Sequence, residues 1–351
     1  MKRSDIWHSG IGKAILTIMT VTLLFSCNND IFEGEGDCSI KYQVAFRYTR
    51  NILDADAFAS KVTSVSLFVF DRNGTLVASK SESGAALAAD GYTMELENVQ
   101  PGTYDLIAWC GMANGKSFVW QGGSSPKSKE DLITSMNRQY NTQEGAYSDV
   151  ALEALFHGME NSVVFPDAPG VHTVSTLSLT KNTNTVRVIL QHYAGKTLNE
   201  KDFSFTIEDE NGLMNHDNNV LADETITYKE WTKTSGEVSM PAVENYAEND
   251  AEITSISSVI GELDVARLIK GHNAVLTVTA ADKEEPVLRL PLIDVLLLAK
   301  GEARRPMDDQ EYLDRQDEYN LIFFLNDENG WYRSAGIYVN AWHVIYQQPG
   351  L

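Results

Sequence analysis

KYQVAFRY, residues 41–48, sets Tyr42, Val44, Phe46 and Tyr48 on one side of an extended chain and Lys41, Gln43, Ala45 and Arg47 on the other. Successive side chains of a strand point to opposite faces, so a period of two marks a strand with one apolar face. The period returns in DFSFTIED, residues 202–209, where Phe203, Phe205 and Ile207 alternate with Ser204 and Thr206. It predicts further strands at 62–70, 92–96, 102–110, 117–120, 172–179, 185–191, 274–280, 287–290, 320–325 and 336–346. Many short strands separated by turn signals predict β-sandwiches.

Three turns carry Asn-Gly between extended runs: FDRNGTLV (70–77), IEDENGLM (207–214) and FLNDENGWY (324–332). The favoured hairpin turns need positive φ, which Asn tolerates and Gly adopts freely, so each predicts a hairpin. A calcium loop of the EF-hand kind would need a Glu six residues after its central Gly, and none of the three completes that pattern. Helix is sparse. One is expected after Pro126, capped by Ser128 with Asp131 at the third position and Leu132, Ile133 and Met136 on one face, and a second over 308–315. The polar, acidic stretch 209–255 is expected to form long loops, and a boundary between two domains, 38–181 and 182–351, is placed at the polar break LTKNTN, 179–184.

The chain begins as a targeting segment. Lys2, Arg3 and Lys13 precede twelve mostly apolar residues, 14–25, too few for the roughly 20 needed to span a bilayer. Leu24-Phe25-Ser26-Cys27 resembles the lipobox of bacterial lipoproteins, which makes 1–26 a signal peptide and Cys27 the acylated amino terminus of the mature chain. Several acyl chains suffice for stable attachment where one is marginal. NNDIFEGEGD, 28–37, is acidic and has little to bury, so 27–37 is expected to be a flexible tether. Acidic residues after such a cysteine also resemble a surface-export signal. The expected location is the outer membrane, lipid-anchored and exposed to the outside.

Without residues 1–26 the chain keeps 25 basic and 48 acidic residues, a net charge of −23. Such a surface repels nucleic acid and anionic headgroups, so no nucleic-acid partner is expected. The later apolar run LPLIDVLLLA, 290–299, is short and contains Asp294. Beyond Cys27 only Cys38 and Cys110 remain, which in an oxidising compartment allow one disulfide or two buried thiols.

Signatures of catalysis are missing. The chain has no GxSxG, HExxH, CxxC, Walker loop or complete GxGxxG, and its seven histidines form no i, i+3 or i, i+4 pair. Trp109, Trp120, Trp331 and Trp342 stand in strand-like surroundings that suggest packing. No cofactor, metal site or enzymatic activity is expected.

CSIKYQVAFRY, VTSVSLFVFDRNG, PGTYDLIAWCG, FHGME, LTKNTNTVRVIL, DFSFTIEDENGLMNHDN, YLDRQDEYNLIFFLND and IYVNAWHVIYQ, in this order over residues 38–346, resemble the fimbrillin-associated anchor family of type V fimbriae. That resemblance implies an all-β chain of two tandem transthyretin-like Greek-key sandwiches. It also implies a lipid-anchored, non-catalytic subunit that fixes the fimbrial base to the outer membrane, limits filament length and joins the fimbrillin stalk subunits by strand exchange. Proteolytic release of the first strand at Arg47 or Arg50 would sever the fold from its anchor, so the first strand is expected to stay, and the carboxy-terminal stretch 336–346, with Ile337, Val339, Trp342, Val344 and Tyr346, is read either as the assembly strand of the junction or as a resident strand of the second domain. The alternative function is that of a surface glycan-binding lipoprotein.

Overall fold

In the computed structural model, residues 39–123, 125–143, 145–239, 255–301, 304–340 and 342–344 are described. The expected signal peptide and tether, Cys27, Cys38 and Tyr346 lie outside them. The first half of the chain forms β1 (Ile40–Arg47), β2 (Ser64–Phe70), β3 (Leu76–Ser83), β4 (Thr93–Leu96), β5 (Gly102–Cys110), β6 (Phe118–Trp120), β7 (Thr134–Met136), β8 (Gln139–Asn141), β9 (Gly145–Ser148), β10 (Phe156–Phe165), β11 (Gly170–Ser178) and β12 (Thr180–Lys181). The second half forms β13 (Thr183–His192), β14 (Phe203–Asp209), β15 (Leu213–Met214), β16 (Ile226–Lys229), β17 (Thr232–Ser239), β18 (Ser255–Ala266), β19 (Val275–Ala280), β20 (Leu288–Pro291), β21 (Glu318–Leu325), β22 (Ile337–Val339) and β23 (Trp342–Val344). Among the described residues three short α-helices accompany them: α1 (Phe58–Lys61), α2 (Leu292–Leu298) and α3 (Asp309–Arg315).

In the first sandwich a sheet ordered β11-β1-β4 covers one ordered β12-β10-β5-β2-β3. Rings of β1 and of the residue after it bridge the layers: Tyr42 lies 4.8 Å from Phe165 and Tyr48 lies 5.0 Å from Phe156, both of β10. β5 is central, flanked by β2 and β10, and Leu106 to Cys110 are all buried. Both faces of this sheet are therefore covered. On the second face Phe68 and Trp109 meet Trp120 edge-on at 5.5 and 6.3 Å, and with Phe118 and Met136 they join the core of the second sandwich.

The second sandwich stacks a sheet ordered β17-β18-β13-β21-β22-β23 on one ordered β20-β19-β14-β16-β9-β8. Sheet membership changes between β12 and β13, but β9 from the first half pairs in parallel with β16, and β7 pairs with β15. Lys41–Asp167 and Val171–Leu351 make one compact unit; the described part of the other is Ser39–Ile40 with Ala168–Gly170, where Gly170 N–H donates to the Ser39 carbonyl at 3.2 Å.

Several sequence expectations hold in detail. Asp71 to Gly74 closes the β2–β3 hairpin with Gly74 at φ 76°. Asn326 to Gly330 closes a second, with Asn329 at φ 54° and Leu325 bridged to Trp331. Asp308 caps α3, its carboxylate accepting from Gln310 N–H at 2.8 Å.

Others do not. After Ser128 only one three-residue turn of 3₁₀ helix forms, with Asp131 accepting from the Ser128 N–H at 3.0 Å. Leu132 and Met136 then enter the core from an extended segment, because β7 pairs with β6 on one side and β15 on the other. IEDENGLM makes no hairpin. Asn211 is buried and donates to the carbonyls of Ala266 and Arg267 at 3.1 Å while accepting from Tyr228 O–H at 2.6 Å. A Cβ on Gly212 would stand 2.5 Å from Ile226 Cδ1, so the chain crosses from one sheet to another through a tight passage. The expected long loops over 209–255 contain β15, β16 and β17. The 290–299 run holds α2, a helix the alternation did not announce.

Candidate functional site

Where a single strand was expected over 336–346, the described residues up to Val344 form a hairpin. It begins at Gly336, at φ 69°, where a Cβ would collide with the His343 ring. β22 pairs with β21, then the chain turns at Asn340, at φ 54°, and β23 returns along β22 with Ile337 opposite Val344 and Val339 opposite Trp342. Asn340 ties the turn to the sheet: its N–H donates to the Asn320 carbonyl at 2.7 Å and its Oδ1 accepts from Asn320 N–H at 2.9 Å.

This geometry separates the expected assembly residues. Ile337 and Val339 are fully buried and Val344 is 9% exposed, so all three belong to the core. Trp342 is 51% exposed and its ring lies 3.6 Å from where a Cβ of Gly301 would be. Among the described residues β23 pairs only with β22, so it ends the sheet. Such a strand offers its outward N–H and C=O groups to an added strand.

The structure adds a feature that the sequence reading did not assemble. On the outer face of the sheet, the ladder aligns Ile260 of β18, Ile189 of β13, Ile322 of β21, Tyr338 of β22 and His343 of β23 in one row. None of the five is buried. Tyr338 contacts Phe324 at 6.0 Å and His343 at 4.8 Å, and the His343 ring nitrogen Nε2 lies 2.9 Å from the Ala335 carbonyl. One side of the row is polar: Arg187 donates to Glu262 at 2.8 Å and to Asn320 at 2.9 Å. The apolar outer positions alone were the available signal, and only the register shows that they line up. Nearby, Tyr193 and Tyr332, both exposed, are in contact with centroids 5.0 Å apart and ring planes tilted by 32°. His192 behind them is buried, which pushes its imidazole below the usual histidine range.

Cys110, the described one of the two cysteines read as either a disulfide or buried thiols, is a fully buried thiol whose pKa burial raises. Among the described residues no group of three or more His, Cys, Asp or Glu side chains comes together to hold a metal ion.

The family model for the fimbrillin-A associated anchor proteins Mfa1 and Mfa2 matches residues 35–348. The chain belongs to this anchor family. The fold of the family is seen in the fimbrial anchor protein Mfa2 from Porphyromonas gingivalis, which is 14% identical and covers 88% of this chain and 100% of its own, with a TM-score of 0.63. Two structures from Bacteroides thetaiotaomicron are nearer in sequence. A candidate adhesin is 28% identical over 89% of this chain and 99% of its own, with a TM-score of 0.75. A candidate polysaccharide-binding protein is 28% identical over 88% and 99%, with a TM-score of 0.71. No curated protein matches.

Proposed function

We propose that this member of the anchor family is the lipid-attached base of a fimbrium, acylated at Cys27, held at the outer membrane and exposed at the cell surface. It serves as a binding platform without catalysis, and it engages the stalk through the β22–β23 edge by pairing with a strand of a fimbrillin subunit. The family match over nearly the whole mature chain carries this reading. The lipobox-like Leu24-Phe25-Ser26-Cys27 supports attachment. The place of β23 at the end of its sheet among the described residues, with Trp342 and Tyr338 exposed beside it, supports the junction.

The decisive experiment replaces Cys27 with Ala in the native host. Fimbriae are then expected in the medium, unanchored and longer than normal, while wild-type cells keep them. Normal retention of fimbriae by that variant would overturn the assignment.

The glycan-binding alternative takes its support from the description of the second Bacteroides structure and from the exposed Tyr193–Tyr332 pair. It requires retention of the protein in polysaccharide affinity gels and loss of that retention on Tyr332→Ala.

A further inference from the structure

The segment RNILDAD, residues 50–56, lies between β1 and α1 and contains one buried residue, Asn51. Asn51 Nδ2 donates to the carbonyls of Tyr48 at 2.8 Å and Ala55 at 2.6 Å, and its Oδ1 accepts from Leu53 N–H at 3.1 Å. Asp54, at φ 52°, sets its Oδ1 2.6 Å from Arg315 Nη1 of α3. The same nitrogen lies 3.4 Å from the carbonyls of Thr49 and Asn51. These bonds fasten the loop to α3 and hold Leu53 outward at its tip. Leu53 is 81% exposed, the most of any large apolar residue described.

A lone exposed leucine is ordinary. The difference here is what stands beside it. Ile52 and Asp54, its two chain neighbours, line a cavity of about 300 Å³ with Pro306, Met307, Arg304 and Arg315, and Leu53 is not part of that wall. A fixed aliphatic knob therefore sits next to a partly aliphatic hollow.

Charge narrows the choice of occupant. The wall holds two guanidiniums and one carboxylate, in a chain whose net charge is −21. Arg315 is satisfied by Asp54 and Glu311, at 2.6 and 2.8 Å. Arg304 pairs with no carboxylate among the described residues. Such a wall suits an aliphatic side chain with a carboxylate next to it. Leu53-Asp54 has this chemistry, since the Asp54 side chain is 76% exposed and bonds Arg315 through Oδ1 alone. The fastened loop keeps Leu53 out of the cavity of its own chain, so the insertion has to come from another molecule.

We propose that two copies of this chain pair about a two-fold axis beside the loop, the Leu53 of each entering the cavity of the other and the Asp54 carboxylate meeting the other's Arg304. Because knob and hollow are adjacent, one axis brings both insertions about at once, as a self-complementary patch requires. The loop is already ordered, so little conformational entropy is lost on pairing. Two leucines and two ion pairs make a small interface, which places the association in the weak, reversible class. The surface shares no residue with the β22–β23 edge and does not rest on the fimbrial reading.

Sedimentation velocity of the full chain over a dilution series, taken to the highest soluble concentration, tests this. A reversible monomer–dimer equilibrium is expected, with nothing larger. Leu53→Ser changes an exposed side chain, so the fold is kept, and it should weaken pairing about a hundredfold because each pair loses two buried leucines. Arg304→Glu sets a carboxylate against Asp54 and should weaken pairing about tenfold. An equimolar mixture of the two variants should pair more tightly than Leu53→Ser alone, since one native knob and one native hollow then meet. A wild-type chain that stays monomeric throughout the series would overturn the proposal and leave the cavity to a partner protein or to water. A dimer that Leu53→Ser leaves unchanged would overturn it too, by placing the contact elsewhere on the surface.

Discussion

The Phe205 ring of β14 occupies the space a side chain at Gly261 of β18 would need: a Cβ there would stand 2.5 Å from the ring's Cδ2. The two residues face each other across the second sandwich, and this contact lets the sheets approach closely. Gly261→Ala is therefore expected to destabilise the fold by about 1–3 kcal/mol, the range for overpacking a core, measured as a lower urea midpoint. Combining it with Phe205→Leu should recover part of the loss, since contacting residues do not act additively.

His157 of β10 is 5% exposed, with its ring 4.7 Å from that of Trp109 and Nε2 2.8 Å from the His216 carbonyl. Burial pushes its pKa down from 6.5 to about 4. The unfolded chain thus binds a proton between these values while the folded chain does not. Stability is complete above about pH 6.5 and falls as pH drops toward 4, by a total of order 3 kcal/mol. Urea titrations of His157→Gln should lack that slope; an unchanged slope would show that other groups produce it.

Arg267 and Asp314 form a two-pronged ion pair, at 2.8 and 2.7 Å, with side chains 13% and 3% exposed. Gln310 donates to the same carboxylate at 2.9 Å. Removing one partner leaves a buried charge, so Arg267→Met is expected to cost about 3–5 kcal/mol. Replacing both, as Arg267→Met with Asp314→Leu, should cost less than the single change. Chemical denaturation of the two variants gives the comparison directly.

Ile337 and Trp342 lie in one hairpin but should fail differently. Ile337→Ala is expected to cost about 2–5 kcal/mol, as for other buried aliphatics. Trp342→Asp, at an exposed position, should change stability by no more than about 0.5 kcal/mol while releasing fimbriae into the medium. A stable Trp342→Asp protein that still retains its filaments would remove β23 from the junction.

The sequence made β1 and β4 readable because they bury alternate residues. β5 was legible to both ends, its apolar side chains filling both covered faces. β18 was not. Its inward positions include Ser257 and Gly261 while Ile256 and Ile260 point outward, which blurs the period. β10 is similarly disguised, since its register shifts between Glu160 and Val163, with Ser162 at φ 58°. The cap chemistry at Ser128 was real but local; strand pairing decided what followed it. At the candidate edge the apolar residues were visible, whereas the turn at Asn340 sorted them into core and surface.

Trp109 and Phe68 of the first sandwich share a continuous core with Val188, Phe205 and Leu321 of the second. Two beads on a string would melt one after the other, and either could be inherited alone. Here a gene fragment ending at the boundary suggested by LTKNTN would leave those aromatic rings facing water. The heritable unit is the two sandwiches together, and a calorimeter should record them as one endotherm.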